Sequence, residues 1–333
     1  MNSKNRISIS SFNVKGLRGN LIYSKFLPQI SNICFFSELW TRPNEIDMIK
    51  DLANFSNKSF IYKSDIDHTY TKGRPFGGQC WVLDKMIKLI EHRFINRHIS
   101  YVHVNVEGLE IVVLGVYMPF NNSKKSNESK SMFELVLSII ISIVHEFKSR
   151  NLPDILTGDF NADFNRNNRF DIILKNFIKD HDFILLDNLN SQNSYTYKSS
   201  FINNTHTTVN IDHFILCGPT IPTSFTNPNF AIHEDISNLS DHNPIILSFF
   251  IPINLSVKTS VTPKTIKKNI NFNDVKSSEF FNLRVEGRIY ESFNPIIASN
   301  FQISLVNQDE INLIYNQISH LYVLVSEEAI MVK

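Results

Sequence analysis

The chain contains, at residues 154–161, the stretch Asp154-Ile155-Leu156-Thr157-Gly158-Asp159-Phe160-Asn161. Its first four residues predict a short β-strand, and polar side chains follow the end of that strand. Because side chains alternate along an extended chain, we expect Asp159 and Asn161 to point together into a cleft. A carboxylate there can bind a hard cation or a metal-bound water, and an amide can hydrogen-bond a phosphate oxygen. The alternative is a plain Gly-Asp turn with a locally bonded Asn.

Polar residues also follow two strands near the N-terminus. Asn13 comes after an alternating strand at residues 7–12, and Glu38 comes after the apolar run 33–36, which is typical of a strand buried on both faces. A carboxylate at such a strand end is costly unless it is paired or bound to a metal. Glu38 is therefore a candidate metal ligand. The alternatives are a surface residue on an edge strand for Glu38 and a turn residue for Asn13.

Asp241 and His242 lie just before Pro244 and an apolar strand predicted for residues 245–250. Adjacent residues on an extended chain point apart, so one can face a metal ion while the other faces a substrate. A His near a scissile phosphate can accept a proton from water or stabilise a charged transition state, and it needs a carboxylate to orient its ring. Asp212 is the candidate for that carboxylate. The alternative for His242 is a structural histidine.

The composition is that of an ordinary globular protein of 333 residues, 42% hydrophobic and 20% charged. The net charge of +1 provides no bulk attraction for nucleic acid, so any such binding depends on a local patch. Three cysteines without close spacing argue against a disulfide framework or a zinc ribbon and favour a reducing environment. We expect Cys34 and Cys217, which lie in apolar runs, to be buried.

The N-terminus carries no apolar core of a signal peptide. The most apolar helical stretch, residues 135–144, has about half of the ~20 residues that a membrane span needs. We therefore expect a soluble, intracellular protein with no membrane partner, rather than a secreted one, and we expect a monomer.

Alternation and helical periodicity predict further elements along residues 1–252. The predicted strands are 79–83, 101–106, 111–117 and 211–216, and the predicted helices are 131–148 and 169–178. Many strands with few helices favour a layered α/β sandwich over a simple doubly wound sheet. After Pro252, residues 253–275 predict a linker, and apolar residues at helical spacing predict a helical tail over 276–333.

Six short motifs occur in one order along the chain. They are Asn13, Glu38, Tyr117-Met118-Pro119, Gly158-Asp159-Phe160-Asn161, Ile211-Asp212-His213 and Ser240-Asp241-His242-Asn243-Pro244. Each motif alone is weak, but the ordered set over residues 6–252 resembles the endonuclease/exonuclease/phosphatase superfamily. The resemblance implies a four-layered α/β sandwich of the DNase I-like type. In that fold two mixed β-sheets pack face to face, with helices on the outside.

The resemblance also implies a metal site for Mg²⁺, with Mn²⁺ as the alternative. Glu38 would be the principal ligand, and Asn13 and Asp241 would help to position the ion. The ion would act as a Lewis acid on oxyanion charge that develops during phosphodiester cleavage.

The other motif residues would act on water and phosphate. Asp159 would orient or deprotonate the attacking water, and Asn161 would hold the phosphate. His242, oriented by Asp212, would bind and polarise the scissile phosphate. Tyr117 would lie against the same phosphate.

Within that superfamily, three segments resemble the endonuclease domain of non-LTR retrotransposons, which is related to abasic-site endonucleases. They are Gly73-Arg74-Pro75-Phe76-Gly77-Gly78, Gly115-Val116-Tyr117-Met118-Pro119 and Gly158-Asp159-Phe160-Asn161-Ala162-Asp163. This resemblance implies a DNA endonuclease that nicks one strand and leaves a 3′-hydroxyl. Arg74 and Asn121 would contact the DNA, and loop lysines, among them Lys124 and Lys125, could contact phosphates or form a solvated surface.

The tail after residue 252 resembles the segment that precedes the reverse transcriptase of such elements. A reverse transcriptase is therefore an expected partner, although none follows in this chain. The chain is expected to be a truncated or domesticated element, or a fragment.

Two positions depart from the superfamily pattern. Family members often carry a Ser three residues before the Asp212 position, where this chain has Val209, so a hydroxyl that holds the strand end or a phosphate would be missing. Thr207 or Thr208 could substitute for it after a small change of register. Lys15 stands where related nucleases often carry Asp or Asn near the metal. Its ammonium would either lower the metal affinity or add a phosphate contact.

Two other functions are compatible with the same motifs. A phosphatase or phospholipase acting on inositol phosphates or sphingomyelin would use nearly identical chemistry. A catalytically dead, DNA-binding relic of a mobile element could keep the fold alone. The complete set of Glu38, Asp159, Asn161, Asp241 and His242 favours an active enzyme.

Overall fold

The structure is a computed structural model that describes residues 4–52, 58–66, 76–189, 194–199, 207–218 and 221–252. The predicted linker at 253–275 and the predicted tail at 276–333 lie outside these residues. Arg74 also lies outside them. Of the helices in the described residues, none is both long and apolar enough to cross a membrane.

The described segments contain fourteen strands and four α-helices. The strands are β1 Lys4–Asn13, β2 Ile33–Ser37, β3 Ser59–Lys63, β4 Gln79–Leu83, β5 Lys88–Phe94, β6 Ile99–Val106, β7 Leu109–Tyr117, β8 Asp154–Asp159, β9 Ile184–Leu185, β10 Tyr197–Lys198, β11 Thr208–Val209, β12 Asp212–Leu216, β13 Thr226–Ile232 and β14 Ile245–Pro252. The helices are α1 Leu21–Ile30, α2 Ile46–Leu52, α3 Ser126–Lys148 and α4 Arg169–Asp180.

Twelve of these strands form two six-stranded mixed sheets. The first sheet has the order β13-β14-β1-β2-β4-β3, and the second has the order β5-β6-β7-β8-β12-β9. The short strands β10 and β11 pair with each other. Each large sheet has a parallel pair at its centre, β1 with β2 and β7 with β8. An antiparallel strand lies next to each pair, β14 beside β1 and β12 beside β8.

The main core lies between the two sheets. In β1 the apolar residues Ile7 and Ile9 belong to this core, and they alternate with serines, as period-2 patterning requires. The ring centroids of Phe35 and Trp81, on neighbouring strands of the first sheet, lie 4.8 Å apart. The indole N–H of Trp81 donates to Ser100 Oγ of the second sheet at 3.0 Å. The inner faces of the sheets therefore share one close-packed layer that includes a satisfied polar contact.

Helices cover the outer faces of the two sheets. Tyr23 and Leu27 of α1 pack with buried residues of the first sheet. The buried faces of α3 and α4 pack on the second sheet, where Phe133 and Phe170 lie with ring centroids 4.3 Å apart. The layers are helix, sheet, sheet and helix, so the predicted four-layered sandwich is confirmed.

The element predictions differ from the structure where local signals were weak or conflicting. Helix α3 begins at Ser126 rather than at residue 131, because its first turns are polar and its buried face starts at Phe133. Helix α1 was not predicted, since it contains Pro28, which is unfavourable inside a helix. Strands β5 and β13 were also missed, and their partly exposed residues do not form a continuous apolar run. Cys217, predicted to be buried, is only partly buried.

Asp154 begins β8 at the end opposite to the polar motifs and is 2% exposed. Its Oδ1 has no hydrogen-bond partner among the residues that the structure describes. Burial raises the pKa of this carboxyl to about 8, although the charge of Arg150 opposes the shift. Burial thus keeps the acid neutral in the folded chain at pH values where the unfolded chain has released the proton.

We expect Asp154→Asn to flatten the pH dependence of stability. Between the unfolded pKa near 4 and the folded pKa near 8, the native state binds more protons, so stability falls as pH rises, with a limiting slope of about 1.4 kcal/mol per pH unit. An amide removes this loss, so the variant should gain most at pH 8.5 and little at pH 4.5. Urea denaturation at both values, with the exposed Asp180→Asn as control, measures it. Equal gains at both pH values would contradict the expectation.

Candidate active site

The polar motif residues meet at one edge of the sandwich because of the strand directions. Asn13, Tyr117 and Asp159 are the last residues of β1, β7 and β8, and Glu38 follows β2 directly. Asp212 is the first residue of the antiparallel strand β12 and pairs with Asp159 across the ladder. Parallel strands that end and antiparallel strands that begin at the same edge therefore bring these side chains together.

A cleft of about 420 Å³ opens at this edge. Eight of the predicted site residues line it: Asn13, Glu38, Tyr117, Asn121, Asp159, Asn161, Asp241 and His242. Asp212 is buried and contacts His242 at the edge of the cleft. Of the predicted set, only Arg74 lies outside the described residues. The structure thus brings the set together, whereas the role of each residue stays a prediction.

Gly158 is required for β8 to reach this edge in register. It has a φ of +142°, and a Cβ at this position would lie 1.9 Å from the carbonyl oxygen of Val116 on β7. No other residue could occupy this position without moving one of the two strands. The glycine therefore allows Asp159 to end its strand directly beside Tyr117.

Asp159 and Asn161 reach the same cleft, but not by strand alternation as predicted. Asp159 still belongs to β8, and Asn161 has a left-handed backbone with a φ of +51°. The backbone N–H of Asn161 donates to Asp159 Oδ1 at 2.9 Å, which closes a tight turn. Asn161 Nδ2 donates one hydrogen to the carbonyl oxygen of Met118 at 2.8 Å. The second amide hydrogen is then available for a ligand.

His242 lies between two carboxylates. Its Nδ1 donates to Asp212 Oδ2 at 2.9 Å, and its Nε2 lies 3.8 Å from Asp159 Oδ2. The ring of Tyr197 packs beside it, with centroids 4.9 Å apart. Burial alone would lower the pKa of His242, but the charges of Asp212 and Asp159 outweigh this effect and raise the pKa to about 9. The ring is therefore an oriented imidazolium at neutral pH.

Asp159 is 2% exposed. Burial raises the pKa of its carboxyl, and the charge of Asp212 adds to this effect, while the positive charge of His242 opposes it. Asn13 Nδ2 donates to Asp159 Oδ2 at 3.0 Å, and Asn13 Oδ1 accepts the backbone N–H of Lys15 at 3.1 Å. Both ends of the Asn13 amide thus hold neighbouring groups, so positioning Asp159 is a role that this geometry supplies directly.

Glu38 and Asp241 are partly exposed carboxylates on the walls of the cleft. The hydroxyl of Tyr117 donates to Glu38 Oε1, and the ammonium of Lys15 pairs with Asp241 Oδ2. Burial, followed by the charge of Glu38, raises the pKa of Tyr117 far above its usual value, so its hydroxyl stays a hydrogen-bond donor.

Two groups of side chains could hold a metal ion. Asp159, Asp212 and His242 offer ligand atoms that all lie within 4.8 Å of one another. In that group, however, the Nδ1 of His242 is bound to Asp212 and the ring is cationic, which disfavours a second cation. Glu38 and Asp241 present carboxylate oxygens to the cleft, the ligands that Mg²⁺ prefers. The chemistry of the second group therefore fits a hard divalent cation better.

Sequence reasoning assigned the missing hydroxyl near Val209 to the wrong threonines. Thr207 and Thr208 are exposed. Instead the buried Thr196 accepts the backbone N–H groups of Ile211 and Asp212 on its Oγ1, at 2.9 and 3.1 Å. Thr196 thus holds the backbone at the start of β12, where Asp212 is the first residue. The sequence carries no signal for this contact, since the two segments meet only in the folded chain.

Further side chains line the cleft, and among them Arg166 was not predicted as a catalytic or binding residue. Arg166 is bound through its Nη2 to Asp171 Oδ1 at 3.0 Å, and the residue lines the same cleft. Phe120 and Tyr197 also line the cleft, and Phe120 is 60% exposed. These side chains add a positive charge and two aromatic rings to the walls around the carboxylates.

Neither a protein-family model nor a curated protein matches the sequence. Solved structures match its fold. An endonuclease/exonuclease/phosphatase family protein from Bacteroides thetaiotaomicron is 14% identical with a TM-score of 0.52, over 75% of this chain and 99% of that chain. An AP endonuclease from Archaeoglobus fulgidus is 13% identical with a TM-score of 0.52, over 73% and 99%. TDP2 from D. rerio, in complex with a single-strand DNA product, is 14% identical with a TM-score of 0.51, over 74% and 99%.

The chain therefore has the DNase I-like fold of endonuclease/exonuclease/phosphatase proteins, with a buried Asp/Asp/His cluster at the edge where its strands meet. At these identities the similarity concerns the fold. What the cleft does has to be argued from its own residues.

Proposed function

We propose that the chain is a Mg²⁺-dependent phosphodiesterase that nicks DNA. The observation that carries this proposal is the arrangement of His242. Its imidazolium is bound to Asp212 on one side and faces the carboxylate of Asp159 on the other, inside a cleft that the carboxylates of Glu38 and Asp241 also line. Such a pairing of an oriented cation with a neighbouring base suits the attack of water on a phosphodiester.

Asp159 is positioned to hold and deprotonate the attacking water. Asn13 and the backbone N–H of Asn161 fix its two oxygens, so the carboxylate cannot rotate away. Its raised pKa makes it a stronger base than a solvated carboxylate. The proton of the water would pass to this carboxylate as the water oxygen forms its bond to phosphorus. The bond between phosphorus and the 3′-oxygen would break at the same time, and that oxygen would leave as a 3′-hydroxyl after taking a proton from solvent water.

His242 would stabilise the negative charge that develops on the phosphate oxygens. Its Nε2–H is the free donor of the ring, because Nδ1 is bound to Asp212. The second amide hydrogen of Asn161 adds another donor in the same cleft. Donors fixed in a partly dry site stabilise such charge without reorganising, which is the main source of catalysis in this kind of site.

Glu38 and Asp241 would hold the divalent cation, with Asn13 as the further predicted ligand. When bound, Mg²⁺ would supply Lewis-acid stabilisation of the phosphate oxygens. Tyr117 would keep Glu38 in place through its hydroxyl.

DNA is the proposed substrate. One support is that structures with this fold include an AP endonuclease and TDP2 bound to a single-strand DNA product. Another is the position of Arg166 and Asn121 on the cleft wall and of the exposed Lys124 and Lys125 nearby in sequence. Guanidinium and ammonium groups near a cleft can bind the phosphates that flank the reacting one.

A finer proposal is that the chain cuts DNA in the manner of a non-LTR retrotransposon endonuclease. Its support is the sequence resemblance of the segments around Arg74, Tyr117 and Asp159. A reverse transcriptase would then be a partner of this activity. Target preference, including a preference for abasic sites, would depend on the loops that border the cleft.

The full-length protein should relax supercoiled plasmid in the presence of Mg²⁺. EDTA should abolish relaxation, and Glu38→Gln should reduce it at least 100-fold, because an amide is a far weaker ligand for a hard cation than a carboxylate. Gel assays of the nicked form measure both effects, with the exposed Glu146→Gln as matched control.

Nicking that persists in EDTA, or that is unchanged in Glu38→Gln, would contradict the metal site. A folded protein that leaves plasmid intact but releases phosphate from inositol phosphates, or cleaves sphingomyelin, would replace the nuclease with the phosphatase or phospholipase function. Inactivity on all of these substrates would favour the catalytically dead relic.

A further inference from the structure

The ammonium of Lys15 already pairs with Asp241, which is one of the two carboxylates, with Glu38, that suit a divalent cation. Lys15 follows β1 in a left-handed conformation with a φ of +47°, and its backbone N–H donates to Asn13 Oδ1. Its ammonium pairs with Asp241 Oδ2, with the two side chains 39% and 20% exposed. The turn that holds Asp159 through Asn13 therefore also aims Lys15 at Asp241.

We infer that the Lys15 ammonium and a divalent cation exclude each other at Asp241, so that Lys15 sets the metal affinity of the site and is released towards the substrate when the metal binds. The inference rests on the proposed function in one respect, namely that Asp241 serves as a ligand of the cation. It goes beyond that function by assigning a competing internal cation and a consequence of its displacement.

The two positive charges oppose each other for a simple electrostatic reason. An ammonium that remained on Asp241 would use a carboxylate oxygen and would repel a divalent ion at the same group. Glu38 differs from Asp241, because its hydrogen-bond partner is the neutral hydroxyl of Tyr117. This hydroxyl can stay bound to Glu38 without repelling a divalent ion. Competition is therefore confined to Asp241.

Space for the displaced ammonium exists on the same wall. Lys15 and Asp241 line both the active cleft and a neighbouring groove of about 590 Å³. The lysine ammonium is carried on a flexible four-carbon stem and the side chain is partly exposed, so it can change rotamer without backbone movement. In either space it could face an anionic phosphodiester. The two effects expected of Lys15 from the sequence, weaker metal binding and a phosphate contact, would then belong to two states of one side chain.

Lys198 provides a matched comparison. It lines the neighbouring groove and is hydrogen-bonded to the carbonyl oxygen of Asp241 through its backbone N–H, at 2.8 Å. Removing its charge changes the net charge of the protein by the same amount as removing the charge of Lys15. It leaves the pair of Lys15 and Asp241 intact. A difference between the two lysine variants therefore reports the direct contact with Asp241.

Isothermal titration calorimetry of the full-length protein with Mn²⁺, without substrate, tests the inference. Lys15→Met keeps the length of the side chain and adds no oxygen ligand, so its Kd for Mn²⁺ should fall about tenfold relative to wild type. Lys198→Met should change the Kd less than twofold. Lys15→Ala, which should behave like Lys15→Met, serves as a second neutral variant if the first does not fold, as judged by circular dichroism.

An affinity of Lys15→Met that equals that of Lys198→Met, or that falls below wild type, would overturn the inference. So would the absence of measurable Mn²⁺ binding in both Lys15 variants. Plasmid nicking by the same preparations separates the two proposals. Tighter metal binding by Lys15→Met, together with wild-type protein that does not nick, would keep the role of Lys15 and refute the nuclease. Nicking by wild type with unchanged metal affinity in Lys15→Met would keep the nuclease and refute the role of Lys15.

Discussion

His242→Ala should lower the rate of DNA nicking by about three orders of magnitude. The substitution removes the donor that faces the phosphate and the positive charge next to Asp159. It also leaves Asp212 as a buried carboxylate without its partner. Loss of charge stabilisation in the transition state and loss of a neighbouring cation both act on the chemical step, so the turnover rate should fall more than the affinity for DNA.

Single-turnover cleavage of a labelled duplex and equilibrium binding of the same duplex measure the two quantities separately. The exposed His92→Ala is the matched control and should behave like wild type. A His242→Ala protein that is folded and nicks at even a tenth of the wild-type rate would refute the assigned role. A proportionate loss of binding and of rate would indicate that His242 holds the substrate without acting on the chemical step.

Sequence alone located the edge of the sandwich where the polar motifs meet. Strand periodicity placed Asp159 and Glu38 at strand ends, although only the resemblance to a known superfamily grouped them in one site. Periodicity could not give the conformation of the turn after β8. Asn161 is placed by a left-handed backbone and a side-chain contact to Asp159, and such local bonds are not encoded in any repeating pattern.

Contacts between distant segments were beyond sequence reasoning for a related cause. Thr196 holds the backbone of Asp212 from a different strand pair, and Lys15 reaches Asp241 across 226 residues of chain. Neither contact follows from spacing, because the Lys15 contact needs the antiparallel pairing of β1 with β14 and the Thr196 contact needs the pairing of β10 with β11. Helix α1 was missed because Pro28 lowers its local helix propensity, whereas burial of Tyr23 and Leu27 against the first sheet stabilises it.

Asp159→Asn should reduce the rate of nicking by at least two orders of magnitude and at the same time stabilise the fold. An amide is nearly the same shape but cannot accept the proton of the attacking water, so the rate should fall. Burial raises the pKa of the Asp159 carboxyl, and the charge of Asp212 adds to this effect against that of His242, so the ionised form destabilises the native state. Replacing this carboxyl by a neutral group should therefore raise the free energy of unfolding.

Asp154→Asn provides the control for this pair of effects. Asp154 is as deeply buried as Asp159, but it lies at the opposite end of the same strand, away from the cleft. Both variants should be more stable than wild type in urea at pH 8.5 with EDTA present, and only Asp159→Asn should lose activity. If Asp159→Asn destabilised the protein, its slow nicking would reflect misfolding. A stabilised variant with little activity would instead indicate that the buried charge of Asp159 lowers stability in the service of catalysis.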